Sequence, residues 1–184
     1  MIGDTGQAGS DMEAWLAELG IDPRWVALRG LPFCEEATEL ECVETASDGR
    51  EFLLTPQAAA AWRRLRAAAQ SDGVQLFVFS AFRSVTRQAE LIRRKLDSGK
   101  TLGEILAVLA PPGYSEHHTG RAVDVGTPDS PALETEFERT EAFAWLQRRA
   151  GEFGFRLSYP AGNAQGYQYE PWHWCFVPCD AAAG

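Results

Sequence analysis

The chain has 184 residues, 45% of them hydrophobic and 11% aromatic, which is enough for one globular domain with a sizeable core. Its formal net charge of -9 argues against nucleic acid or anionic membrane surfaces as partners, because both recruit basic patches. No apolar run approaches the ~20 residues needed to span a bilayer, so no transmembrane segment is expected.

Met1 to Ser10 carries Gly3, Gly6, Gly9 and Asp4 and reads as a flexible tail. It lacks the basic and apolar regions of a secretion signal. The expectation is therefore a cytoplasmic protein, with the periplasm as the alternative should a signal precede this sequence. Asp11 to Leu19 reads as a short helix with Met12, Trp15, Leu16 and Leu19 on one face, capped by Asp11 and ended by Gly20. Asp22 to Leu28 is a further helical turn with Pro23 at its first position. Residues 11–54 are thus expected to form an N-terminal helical segment of a single domain spanning 11–178. Within it, Glu35, Glu36, Glu39, Glu41 and Glu44 mark a solvated surface, or alternatively the rim of a cleft.

Thr55-Pro56 opens the clearest helix, running to about Gln70, with Ala58, Ala61, Trp62, Leu65 and Ala69 at helical spacing. Val74 to Phe79 reads as a buried strand that delivers Arg83 at its far end. Ser84 caps the next helix, whose inward stripe is Val85, Ala89, Ile92 and Leu96. At this corner Arg83 can pin a local carbonyl or present its planar fork to a carboxylate. Gln88, one turn into the helix, can bond a peptide group or lie on the surface. Thr101 and Glu104 form a capping box for a short helix that Pro111 stops. Thr127 to Thr140 is a polar loop bordering a cleft, Glu141 to Ala150 a helix, Gly154 to Tyr159 a strand and Pro160 to Gly166 a tight loop.

Two stretches carry chemistry. In Ser115 to Asp124 the chain supplies a histidine and, seven residues on, a carboxylate. If Gly120 to Val125 is a strand, Gly120, Ala122 and Asp124 share one face, which leaves open space before the carboxylate. In Tyr169 to Val177, Pro171 suits the start of a strand with Trp172, Trp174 and Phe176 on one face and His173 and Cys175 on the other. Two histidines and an aspartate with a fourth position open make a catalytic kind of zinc site. Glu170 is then a spare carboxylate able to take a proton from the attacking water. The plainer readings are a capped turn with a hydrogen-bonded Asp, and an aromatic core strand with an incidental His.

The order Ser115-x-His117-x-x-Gly120-x-Ala122-x-Asp124, then Glu170-Pro-Trp-His173, resembles the VanY-like D-alanyl-D-alanine carboxypeptidases, zinc peptidases related to the hedgehog and lysostaphin-type folds. The resemblance runs from about Ser80 to Val177 and includes Ser80-Ala-Phe-Arg83-Ser84 with Gln88, Gly154 to Pro160, and Gly166-Tyr167-x-Tyr169-Glu170. It implies His117, Asp124 and His173 as ligands of one zinc per chain, Glu170 as catalytic base, and Arg83, Gln88 and Ser115 as substrate contacts. Ala81 stands where the family usually has Gly, His118 where Gln is common, and Ser158 and Cys175 where Arg is frequent; the missing arginines bear on substrate preference.

The expected fold is α+β, a small mostly antiparallel sheet carrying the zinc site with helices packed on one face. The expected function is removal of the C-terminal D-Ala from peptidoglycan stem peptides by a monomer, with tetrapeptide (L,D) slightly favoured over pentapeptide (D,D). The alternatives are a stem-peptide endopeptidase, against which Arg83 argues, and a non-catalytic zinc-stabilised binding module, against which Glu170 argues. Cys34, Cys42, Cys175 and Cys179 lack the spacing of a structural zinc site; they can pair or sit as buried thiols, and reduced thiols fit a cytoplasmic protein.

Overall fold

The computed structural model describes residues 5–128 and 130–178, with side chains from Met12 onward. Met1 to Asp4 and Cys179 lie outside the described residues. Helix α1 spans Thr5–Glu18 and α2 spans Pro23–Leu28. The expected tail is thus partly helical, because α1 starts six residues before Asp11. Asp22 caps α2 by accepting from the Arg24 amide.

Residues 31–40 run without regular structure, and β1 (Glu41–Thr45) pairs antiparallel with β2 (Glu51–Leu54). The N-terminal segment is therefore not helical throughout. A hairpin replaces helix where Val43, Phe52 and Leu54 present alternate apolar positions to α3 (Pro56–Ser71). The acidic side chains of this stretch lie mostly at the surface. Glu41 and Glu44 pair with Arg63 and Arg66 of α3, and Glu36 accepts from the Val85 amide at the start of α4 (Val85–Asp97).

The main sheet contains β3 (Phe77–Ser80), β4 (Ala122–Gly126), β5 (Phe155–Leu157) and β6 (His173–Phe176), in the order β3-β4-β6-β5 and antiparallel throughout. All four strands begin later than the sequence suggests, β5 by the single residue Gly154. Residues 74–76 precede β3 without joining it, Pro171-Trp172 forms a turn before β6, and Gly120 is not in β4. Gly120 instead ends the 3-10 helix Glu116–Thr119 with φ +62°, and a Cβ there would stand 3.0 Å from Leu40 and 3.1 Å from Thr55.

Two apolar clusters hold the fold. Val78, Val123, Val125 and Trp174 project from one face of the sheet onto Trp62 and Leu65 of α3 and onto Phe143 and Leu146 of α6 (Glu141–Arg149). The second cluster joins Leu16, Leu19 and Val26 of the N-terminal helices to Ile92 of α4, Ile105 of α5 (Leu102–Leu106), Tyr159 and Tyr167. The cleft opens between this second cluster and the other face of the sheet. Among the described residues, no helix is long and apolar enough to cross a membrane.

Candidate active site and metal centre

Antiparallel register puts Asp124 of β4 directly opposite His173 of β6, with Val123 opposite Trp174. Since side chains alternate, the valine and tryptophan enter the core while the aspartate and histidine meet on the cleft face. His117 arrives from the 3-10 helix at the entrance to β4. One ligand atom from each of His117, Asp124 and His173 lies within 4.8 Å of the others, and all three residues are buried. His117 Nε2 is 3.2 Å from Asp124 Oδ2, and His173 Nδ1 is 3.0 Å from Asp124 Oδ1.

Each imidazole is oriented by its other nitrogen. His117 Nδ1 donates to the Ala81 carbonyl at 2.6 Å, which leaves the Nε2 lone pair facing Asp124. His173 Nε2 donates to Glu116 Oε2 at 3.0 Å, which leaves Nδ1 facing the cleft. Such outer partners are how metal-ligating histidines are held. Two imidazole nitrogens and a carboxylate oxygen within 4.8 Å of one another suit zinc, whose ligands on ~2.0–2.1 Å bonds in a tetrahedron stand roughly 3.3 Å apart. The group therefore fits zinc with one position left open. In the bare protein burial opposes charge on His173, but its bonds to Asp124 and Glu116 prevail and raise it to about 10. Asp124 is held far below the usual carboxylate range, its burial penalty overcome by the charges and bonds of both histidines.

Glu170 stands at the lip, its Oε2 3.8 Å from His173 Nδ1. Burial pushes its carboxyl up to about 7, with Asp124 adding to the push and His173 and Arg83 opposing it. That is a suitable range for a group that takes and returns a proton. The cleft has a volume of about 380 Å³, and its lining includes Arg83, Ser115, Tyr159, Tyr167 and Glu170. Arg83 lies in the loop after β3. Its backbone is tied to the 3-10 helix, its amide donating to the His117 carbonyl and its own carbonyl accepting from His118. Its side-chain Nε is sealed from water without a partner, and burial depresses the guanidinium pKa. A half-buried cationic fork with one sealed, unmet donor in a cleft is suited to an anionic ligand.

The structure places Gln88, expected as a substrate contact, behind the cleft wall with its Oε1 unpartnered. Gln88 is fully buried, on the inward face of α4, and its Nε2 donates to the Ala110 carbonyl at 2.6 Å. It supports one wall from behind and does not line the cleft. Ser115, by contrast, is in the lining. The loop 127–140 borders the cleft through Leu133, Glu134 and Thr135.

Glu116 is the residue that sequence reasoning missed. It accepts from both His173 Nε2 and the Ser158 hydroxyl, the latter at 2.5 Å. Despite burial, these bonds and the His173 charge hold it down at about 2. The signal was its place between Ser115 and His117, but nothing local shows that residues 42 and 57 positions away will surround it. Buried Cys175 also lies against Glu116, so an arginine at position 158 or 175 would meet this carboxylate. Behind Glu116 a separate groove is lined by Glu35, Glu36, Glu39, Arg121 and Arg156, which places the acidic stretch away from the catalytic cleft.

Comparison with known proteins agrees with this geometry. A D-alanyl-D-alanine carboxypeptidase of Enterococcus faecalis is 33% identical over 125 residues, 62% of this chain and 45% of that protein. The chain spans about half the length of the curated relatives first matched. The structure of the LdcB LD-carboxypeptidase, solved for its peptidoglycan recognition, is 31% identical with a TM-score of 0.65, covering 83% of this chain and 69% of that one. A mutant of the vancomycin-resistance D,D-pentapeptidase VanY, crystallised with zinc(II), is 26% identical with a TM-score of 0.61, covering 84% of this chain and 91% of that one. The family model described as VanY, D-alanyl-D-alanine carboxypeptidase, matches residues 51–179, and the chain belongs to that family.

Proposed function

We propose that the protein is a zinc carboxypeptidase that removes the terminal D-alanine from peptidoglycan stem peptides, with His117, Asp124 and His173 as the zinc ligands and Glu170 as the base. The observation that carries this reading is the meeting, in one cleft, of the three-residue group, a carboxyl raised to about 7 and an arginine with an unmet buried donor. A purely structural zinc normally has four protein ligands and no spare base, so the arrangement favours hydrolysis.

The metal, when bound, supplies a Lewis acid for the scissile carbonyl and lowers the pKa of the attacking water. Glu170 takes the water's proton and delivers it to the leaving D-Ala amine. Arg83 grips the substrate's terminal carboxylate, which only a peptide with a free C-terminus provides. Ser115, on the cleft wall, is available to the peptide backbone.

Between the two bonds of this class we favour the L,D bond of the tetrapeptide. The similarity to an LD-carboxypeptidase across most of the chain supports it, as does the replacement of the family's frequent arginines by Ser158 and Cys175. Shared zinc chemistry serves either bond, so selectivity is a modest difference in transition-state binding. Incubation with stem tetrapeptide, pentapeptide and their C-terminal amides should release alanine from the free acids, with the higher kcat/KM on the tetrapeptide. A higher value on the pentapeptide overturns the L,D preference. Equal cleavage of amidated and free peptides favours the endopeptidase reading instead.

A further inference from the structure

Arg29 follows α2 and lies outside the residues that match the family. It nevertheless reaches two segments of the cleft lining, which also meet directly where the Gln168 amide donates to the Ala107 carbonyl at 2.9 Å. Its Nη1 donates to the Leu106 carbonyl at the end of α5, at 3.1 Å, and its Nε donates to the Gln165 carbonyl in the loop 160–168. The first segment continues into Val108, Leu109 and Ala110 and the second into Tyr167, Gln168, Tyr169 and Glu170, all of which line the cleft.

The guanidinium is also held between two rings, 4.2 Å from the centre of Trp25 and 4.3 Å from that of Tyr167. Tyr167 packs edge-on against Tyr159 at 4.9 Å, and Tyr159 lies 4.7 Å from the His173 ring. One stack thus runs from the N-terminal helices to the candidate metal centre. No carboxylate pairs with Arg29 among the described residues, and its Nη2 is sealed without a partner, so charge neutralisation does not explain it. A rigid planar fork that reaches a carbonyl on each side of that single backbone bond adds two further ties across the junction, which a flexible lysine stem cannot do.

We propose that Arg29 is a positioning residue for the substrate cleft, bracing the junction between the 106–110 and 165–170 segments of its lining. The N-terminal helices are then part of the peptide-binding apparatus. For its effect on kinetics this rests on the carboxypeptidase reading; for the tie itself it does not.

The test uses the full zinc-loaded chain with Arg29→Met and Arg29→Lys. Arg29→Met should keep one zinc, raise KM for the stem peptide about tenfold and leave kcat within about threefold. Amide exchange should quicken in residues 106–110 and 163–170 while β4 and β6 stay protected. Arg29→Lys should move KM and exchange in the same direction. Its milder change keeps the test usable if Arg29→Met folds poorly. An unchanged KM, wild-type behaviour in Arg29→Lys, or exchange rising equally through the sheet overturns the proposal. If the parent protein releases no alanine from any peptide, the carboxypeptidase reading fails, while exchange confined to the two segments still supports the tie.

Discussion

His117 and His118 are adjacent, both buried, and serve two regions in opposite conditions. On the rear side, His118 has both nitrogens used: Nδ1 donates to the Arg83 carbonyl at 2.6 Å, and Nε2 accepts from the Gly113 amide at 3.1 Å. On the cleft side, His117 turns Nε2 toward Asp124 among crowded charges, with Arg83 Nε unpaired nearby. Satisfied hydrogen bonding is the ordinary state of buried polar groups that support a fold. Two imidazoles and a carboxylate crowded together in one cleft, beside the unpartnered Arg83 Nε, mark the place where a metal and a substrate complete the set.

The sharpest break of this contrast is Glu170→Ala. Glu170 is assigned a proton-transfer role without a bond to zinc, so the variant should keep stoichiometric metal and lose at least about a hundredfold in turnover. Metal analysis beside single-turnover rates checks both halves, and full activity would remove Glu170 from the mechanism.

On the rear side, His118→Ala should keep its zinc and lose about 2 kcal/mol of stability, since it leaves a buried carbonyl and amide without partners. Burial depresses His118 to about 4 from an ordinary value near 6.5. Between those values the unfolded chain binds the proton and the folded chain does not. The contribution is therefore complete above about pH 6.5 and is lost as pH falls through about 4, at most about 3 kcal/mol. Denaturant unfolding at pH 7 and pH 5 should show a smaller difference in the variant than in the parent. Loss of zinc in His118→Ala with retention in His117→Ala would reverse the two regions.

Glu116 sits on the boundary, reaching from the rear groove to the His173 ring. Glu116→Gln keeps an acceptor but removes the charge, and should weaken zinc binding about tenfold, the low end for such an outer partner. Competition with a chelator measures it, and unchanged affinity would make Glu116 a group of the rear region only.

Much of the helical scaffold was legible locally. Ser84 accepts from the Arg87 amide and Thr101 shares a capping box with Glu104, as side-chain reach along four residues dictates. The stripe on α4 was also legible, but the same periodicity hid Gln88, whose inward position decided its partner. The hairpin 41–54 was missed because its short strands carry glutamates at the surface and show their apolar alternation only against α3.

The sequence by itself determined the groups that this chain can bring to a zinc peptidase site: His117, Asp124, Glu170, His173 and Arg83 stand in motifs whose spacing is a property of the chain. Only the tertiary structure decided which nitrogen of each histidine faces the cleft, that Glu116 meets His173, and that Arg29 reaches Leu106 and Gln165. Those contacts join residues 57, 77 and 136 positions apart. Local pattern specifies which face a side chain takes on its own helix or strand; which distant carbonyl or carboxylate awaits it there depends on how the two apolar clusters pack.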